Sequence, residues 1–167
     1  ADIWAAATDW TPAAAMVLMS NQASVTDKGW LVSLQTNGDI VFQVPTGAST
    51  SVDTTISNPG FVDASWHHFA VRYTAATDAW LFFIDGVPVG SYSQVMRTVS
   101  ANIMRIGATG STAGTFFTGR LIQFGYAKSA LTELEVLKLS SVSIALSSSV
   151  RKENQIYETD YLTASGL

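Results

Sequence analysis

Cysteine is absent from this chain. Its absence excludes disulfides, thiol nucleophiles and thiolate metal sites, and leaves the redox compartment open. Charge is also scarce. Only 13% of residues are charged, and the nine basic residues are scattered, with no cluster beyond Arg151-Lys152. At a net charge of −4 the chain offers little to a phosphate backbone, so nucleic acid is not an expected partner. No apolar run approaches the ~20 residues of a membrane-spanning helix. No secretion signal is visible, and a start at Ala1 without Met fits a processed or trimmed beginning.

What is present is apolar and β-prone. With 167 residues, 47% of them hydrophobic, the chain is expected to be one folded domain. A domain of this size buries roughly 70% of its unfolded surface. The organising stretch is 66–91, WHHFAVRYTAATDAWLFFIDGVPVGS. Aromatic and β-branched residues predict strands over 66–73 and 79–85, with a polar turn at 74–78. Asp85-Gly86 then turns the chain into a third strand over 87–91.

Before this meander, strands are expected at 2–8, 14–20, 29–35, 39–44 and 52–56. Thr36-Asn37-Gly38 is a hairpin signal, because Asn and Gly both tolerate positive φ. After it, strands are expected at 102–108 and within 115–127, flanking the small-residue loop 107–114. About ten short strands between turn signals indicate an all-β sandwich of two antiparallel sheets.

The periodicity changes near residue 130. Leu131, Leu134, Val136 or Leu137, Leu139, Val142 and Leu146 fit a helical stripe, and Thr132 with Glu135 forms a capping box. The expected organisation is a sandwich over 1–146, closed by one short C-terminal helix at 130–146. A polar arm over 147–167 follows, docking on the sandwich or on a neighbour through Ile156, Tyr157 and Tyr161.

Several of these motifs together resemble the concanavalin A-like lectin/glucanase superfamily, in its laminin-G-like branch. The matching pieces are Trp66-His67-His68-Phe69-Ala70-Val71, the hairpin Ile84-Asp85-Gly86-Val87-Pro88-Val89-Gly90, and Ile106-Gly107-Ala108. Phe117-Thr118-Gly119-Arg120-Leu121 and Ala130-Leu131-Thr132 complete the set. The resemblance covers roughly residues 29–136 and implies a jelly-roll sandwich. Where that branch commonly carries an Asp-Glu pair that in some members helps hold calcium, this chain has Ile122 and Gln123. The segment Asp9-Trp10-Thr11-Pro12-Ala13 also resembles bacteriophage virion and tail variants of such sandwiches.

No enzyme is expected. Glucanases of the superfamily use paired carboxylates on alternate strand residues, and retaining chemistry needs them ~5–5.5 Å apart. Glu133, Glu135, Glu153 and Glu158 are the only glutamates, and all fall in the helix or the arm. Alternation sends His67 and His68 to opposite faces of the sheet. His67 shares a phase with Phe69 and Val71 and is expected to be buried and hydrogen-bonded, while His68 is expected on the wetter side. No G-x-S-x-G elbow supports a Ser-His-Asp nucleophile. No resident cofactor is expected; Asp27, Asp53, Asp63 and Asp78 are the loop carboxylates that calcium would use.

In Trp80-Leu81-Phe82-Phe83-Ile84 both phases are apolar. With Leu81 and Phe83 assigned to the core, Trp80, Phe82 and Ile84 need another cover. That cover is either a long loop or the C-terminal helix, or else the three form an exposed apolar ledge for an oligomer neighbour or for sugar rings. Trp10 and Trp30 are read as core residues.

The function read first is a non-catalytic structural or adhesive virion protein, such as a capsid decoration, fibre or tail component, located on the virion or outside the cell. Trp80, Phe82, Ile156, Tyr157 and Tyr161 would be its contacts with other chains, including copies of itself. The alternative is a carbohydrate-binding module of a secreted or cell-surface protein.

Overall fold

The computed structural model describes residues 1–22, 24, 26, 28–96, 104–108 and 116–142. Among them, ten strands and one helix follow in chain order. They are β1 (Asp2–Ala7), β2 (Met16–Ser20), β3 (Leu31–Leu34), β4 (Ile40–Pro45), β5 (Ser51–Ile56), β6 (His67–Thr74), β7 (Ala79–Ile84), β8 (Val87–Ser93), β9 (Arg105–Ile106), β10 (Gly119–Gly125) and α1 (Glu133–Val142). Sheet A has the order β10-β1-β6-β7-β8 and sheet B the order β5-β4-β3-β2-β9. Every pairing is antiparallel. The expected two-layered sandwich with one short helix is therefore the fold, and the meander supplies the middle and one edge of sheet A.

Alternation places the core. Ile40, Phe42 and Val44 of β4 point between the sheets, as do Val32 and Leu34 of β3 and Leu18 of β2. Sheet A answers with Ile3, Ala5, Ala7, Phe69, Val71, Trp80, Phe82 and Ile84. Phe42 and Phe82 stack across the gap, ring centroids 4.8 Å apart. Side chains standing off opposite faces of a pleated strand produce this interdigitation.

Two sequence expectations are corrected here. Trp80 and Phe82 form no exposed ledge; each is 1% accessible and lies in the core. The reason is register. Tyr73 pairs with Trp80, Val71 with Phe82 and Phe69 with Ile84, and directly opposed residues share a face. The opposite phase of β7, Leu81 and Phe83, faces outward and packs with Ala70 under Leu131 and Val136. The second correction concerns His68. It is not on a wet face but fully buried, because Trp4 and Asp2 of β1 lie against it.

Turn chemistry follows the sequence closely. Asp85 and Gly86 have φ of 50° and 77°, the two left-handed residues of a two-residue hairpin loop between Ile84 and Val87. In the β3–β4 turn only Gly38, at φ 85°, takes the left-handed region; Asn37 instead bonds Asp39 through its side chain.

Helix α1 crosses the outer face of sheet A. Val136 is its buried contact, which settles the Val136/Leu137 alternative, whereas Leu134 and Leu137 are exposed. The capping box forms as expected. Glu135 Oε2 accepts from the Thr132 N–H (2.6 Å) and hydroxyl (2.8 Å), and Thr132 Oγ1 accepts from the Glu135 N–H (3.2 Å). These bonds hold the Glu135 carboxyl below its ordinary 4.5. A carboxylate with a depressed folded pKa contributes stability above its unfolded value and loses it as pH falls through the folded one. The difference in melting temperature between the wild type and Glu135→Gln is therefore expected to be full at pH 7 and to shrink below pH 4.5. A difference that stays constant from pH 7 to pH 3 would remove the box as its cause.

Candidate functional site

Chemistry-bearing side chains come together at several places among the described residues. The first surrounds His67, at the start of β6. Its Nδ1 lies 2.8 Å from Asp85 Oδ2 and its Nε2 lies 2.8 Å from Ser65 Oγ. The connectivity is that of a Ser-His-Asp triad. The surroundings give it a structural role instead. Ser65 Oγ donates to the Val62 carbonyl, so its one proton is directed away from the imidazole. Phe61 stacks on the ring at 3.5 Å and Trp10 meets it edge-on at 5.4 Å. Asp85 Oδ1 accepts the His68 N–H at 2.8 Å. One carboxylate thus ties the Asp85-Gly86 turn to the first two residues of β6, which explains why W-H-H and D-G occur together in this chain. As expected, His67 is hydrogen-bonded and mostly buried, at 16% side-chain exposure.

The second place is a cleft of about 330 Å³ between the β1–β2 loop and the residues entering β10. Thr8, Asp9, Pro12 to Met16, Phe116 and Thr118 line it. Its walls are joined by the Thr8 N–H donating to the Thr118 carbonyl at 3.1 Å. Asp9 is held by an Asx turn in which Oδ1 accepts the Thr11 N–H and hydroxyl at 2.7 and 3.0 Å. Its Oδ2 has no partner among the described residues. Trp10, next in sequence, turns inward against Phe61 and Phe69, a core residue as expected. Phe116 is 62% exposed.

The third place adjoins the cleft on the outer face of sheet A. Ala6 of β1 pairs with Arg120 of β10, and Ala5 pairs with His67. Continuing that register by one residue sets Ala6 between Arg120 and Trp66. The small side chain of Ala6 lets the guanidinium cross it and lie over the indole, 5.1 Å from the ring centroid. Neither residue stood out in the sequence as a site, since Trp66 reads as a strand residue of the W-H-H motif and Arg120 lies more than fifty residues away in the chain.

The remaining candidates are dispersed. Asp53 accepts from Gln43, Asp63 from the Trp10 N–H, and Asp78 from the Tyr73 hydroxyl. No three metal-ligating side chains converge among the described residues. Glu133 lies 3.9 Å from Arg72 and Glu135 caps α1. Asp27, Glu153, Glu158, Ile156, Tyr157 and Tyr161 fall outside the described residues.

Two five-stranded antiparallel sheets with a helix across one outer face define a jelly-roll sandwich of lectin architecture. The laminin-G family model described as the concanavalin A-like lectin/glucanases superfamily matches residues 2–137, and the chain belongs to that family. Similar solved structures agree on the fold. The CBM40 of a Ruminococcus gnavus IT-sialidase, bound to α2,3-sialyllactose, superposes with a TM-score of 0.63 at 11% identity, covering 83% of this chain and 80% of that one. The botulinum neurotoxin type G receptor-binding domain gives 0.56 at 15% identity, over 83% of this chain and 36% of that one. Mouse laminin α1 domains LG4-5 give 0.53 at 15% identity, over 72% and 32%. No curated protein sequence matches the chain. No helix among the described residues is long and apolar enough to cross a membrane.

Proposed function

We propose that this chain is a non-catalytic carbohydrate-binding module that takes a glycan in the cleft beside Phe116, outside the cell. The carrying observation is a 62%-exposed aromatic ring at a cleft that also presents the Asp9 carboxylate, whose Oδ2 has no partner among the described residues. A sugar ring has an apolar C–H face and a rim of hydroxyls. An aromatic face with nearby oxygen acceptors complements both. The non-catalytic reading is supported at His67, where the serine proton goes to a carbonyl and a phenyl ring covers the imidazole.

Phe116→Ala tests this reading. Glycan affinity, first located on an array and then measured by calorimetry, is expected to fall roughly tenfold. Stability should change by less than about 0.5 kcal/mol, because the side chain is largely solvated. A silent array for the wild type, or undiminished binding by the variant, would overturn the proposal.

A second reading, a structural module contacting other chains of an assembly such as a virion, is favoured by α1. Its exposed Leu134 and Leu137 lie three residues apart on one side of the helix. Sedimentation of the intact chain separates the readings, since assembly contacts of this kind produce concentration-dependent mass.

A further inference from the structure

We propose that the Arg120–Trp66 pair is a carboxylate subsite and that the glycan ligand is acidic, a sugar bearing a carboxyl group. This rests on the cleft reading above and specifies its ligand class.

Three arginines lie among the described residues. Arg72 donates to the Leu131 carbonyl and lies 3.9 Å from Glu133. Arg105 donates to the Gln22 carbonyl at 2.8 Å. Arg120 alone of the three has no oxygen acceptor among the described residues, and it is exposed. The chain carries a net charge of −4, yet no carboxylate among the described residues pairs with Arg120.

Its geometry is set in advance. The indole of Trp66 lies under the guanidinium, and Ala6, 2% exposed, leaves the space through which the side chain crosses. The contact holds the guanidinium carbon 5.1 Å from the indole centroid, and the planar guanidinium carries an N–H edge. That edge is a two-pronged donor matching the two oxygens of a carboxylate. A side chain already held against an indole has less rotamer freedom to lose when a ligand binds.

The pair also sits where a ligand in the cleft would reach it. Arg120 follows the cleft residue Thr118 by two positions, a separation of roughly 7 Å along an extended strand and comparable to one sugar ring. A sugar stacked at Phe116 would direct a ring substituent along the start of β10 toward Arg120. The exposed Ile122, two residues further on, gives the subsite an apolar border. A neutral sugar would leave the guanidinium solvated and gain nothing from it.

The test measures affinity of the whole chain for 3′-sialyllactose, a galacturonate oligosaccharide, lactose 6′-sulfate and neutral lactose, by calorimetry at low and moderate salt. The wild type should prefer the carboxylated sugars over lactose by roughly 10- to 100-fold, the scale of a charged hydrogen-bond pair. The preference should shrink as salt rises. Arg120→Gln should bring the ratio of acidic to neutral affinity close to one. Arg120→Lys should recover only part of it, since an ammonium keeps the charge and loses the planar fork. Unchanged melting temperatures would show that the variants fold.

An Arg120→Gln variant that keeps the wild-type preference would overturn the subsite. Equal wild-type affinity for lactose and the acidic sugars would also overturn it, while Phe116-dependent binding would leave the cleft reading intact. Preference for the sulfated over the carboxylated sugars would reject the carboxylate assignment in favour of sulfate. Binding of none of the four sugars, nor of any glycan on the array, would remove the cleft reading and the subsite together.

Discussion

Phe82→Ala is expected to lower the unfolding free energy by about 3–5 kcal/mol, the range for deleting a buried phenyl ring. The ring is 1% exposed, stacks on Phe42 at 4.8 Å and belongs to the largest cluster between the sheets. Its loss removes apolar burial and leaves a cavity that two hydrogen-bonded sheets cannot close easily. At roughly 2–4 °C per kcal/mol for a domain of this length, the melting temperature should fall by about 10 °C. Denaturant midpoints should shift with little change of slope. The same substitution separates the core from the ledge. Were Phe82 a solvent-facing contact, the change would cost less than about 0.5 kcal/mol and would instead weaken a partner interaction. A near-neutral result would therefore sink the register of β6 against β7 on which the core depends. Phe42→Ala gives an internal check. The two rings touch, so the double variant should cost measurably less than the sum of the singles.

Gly86→Ala is expected to cost about 2–5 kcal/mol, from two sources that can be separated. One is backbone strain: Gly86 has φ of 77°, where a Cβ costs about 1–2 kcal/mol. The other is steric. A Cβ built there would lie 2.2 Å from Ser140 Oγ and 3.0 Å from the backbone Cα of Leu137. A hydroxyl can rotate aside, but a helix backbone has to shift, so α1 must move off the turn. Overpacking of this kind adds about 1–3 kcal/mol. Gly60 is the control, with φ of 74° and nothing within 4 Å of the added atom. Gly60→Ala carries the strain alone. If the two variants are equally destabilised, α1 does not rest on the β7–β8 turn. If Gly86→Ala is the worse, amide exchange should quicken in α1 before the rest of the sandwich, because its apolar seat on Ala70 and Phe83 is lifted.

Much of this molecule was legible in the linear chain because the signals were local. Strand positions follow from β-prone runs between turn residues, and Asp85-Gly86 reads as a hairpin because two successive left-handed residues suit few side chains. The capping box of Thr132 and Glu135 reads equally well, since its partners are three residues apart. Local signals stop at the faces of β7. Both phases of Trp80-Leu81-Phe82-Phe83-Ile84 are apolar, so composition does not choose between them. The pairing of Tyr73 with Trp80 does. A clue was present: closing the 74–79 hairpin with Phe69 and Val71 facing inward carries Trp80, Phe82 and Ile84 inward too.

The candidate sites show the same division. His67 could be read as a hydrogen-bonded residue, because alternation beside Phe69 and Val71 is a local property. That His68 is buried could not be read, because its cover comes from Trp4 and Asp2, far away in sequence. Trp66 and Arg120 meet only because β1 lies between β6 and β10 in sheet A. The order of residues alone determined where strands, turns and the helix start, since backbone preference and side-chain period act over a few neighbours. Tertiary structure decided which side of each strand is wet and which distant residues form a site, since both depend on strand order and register.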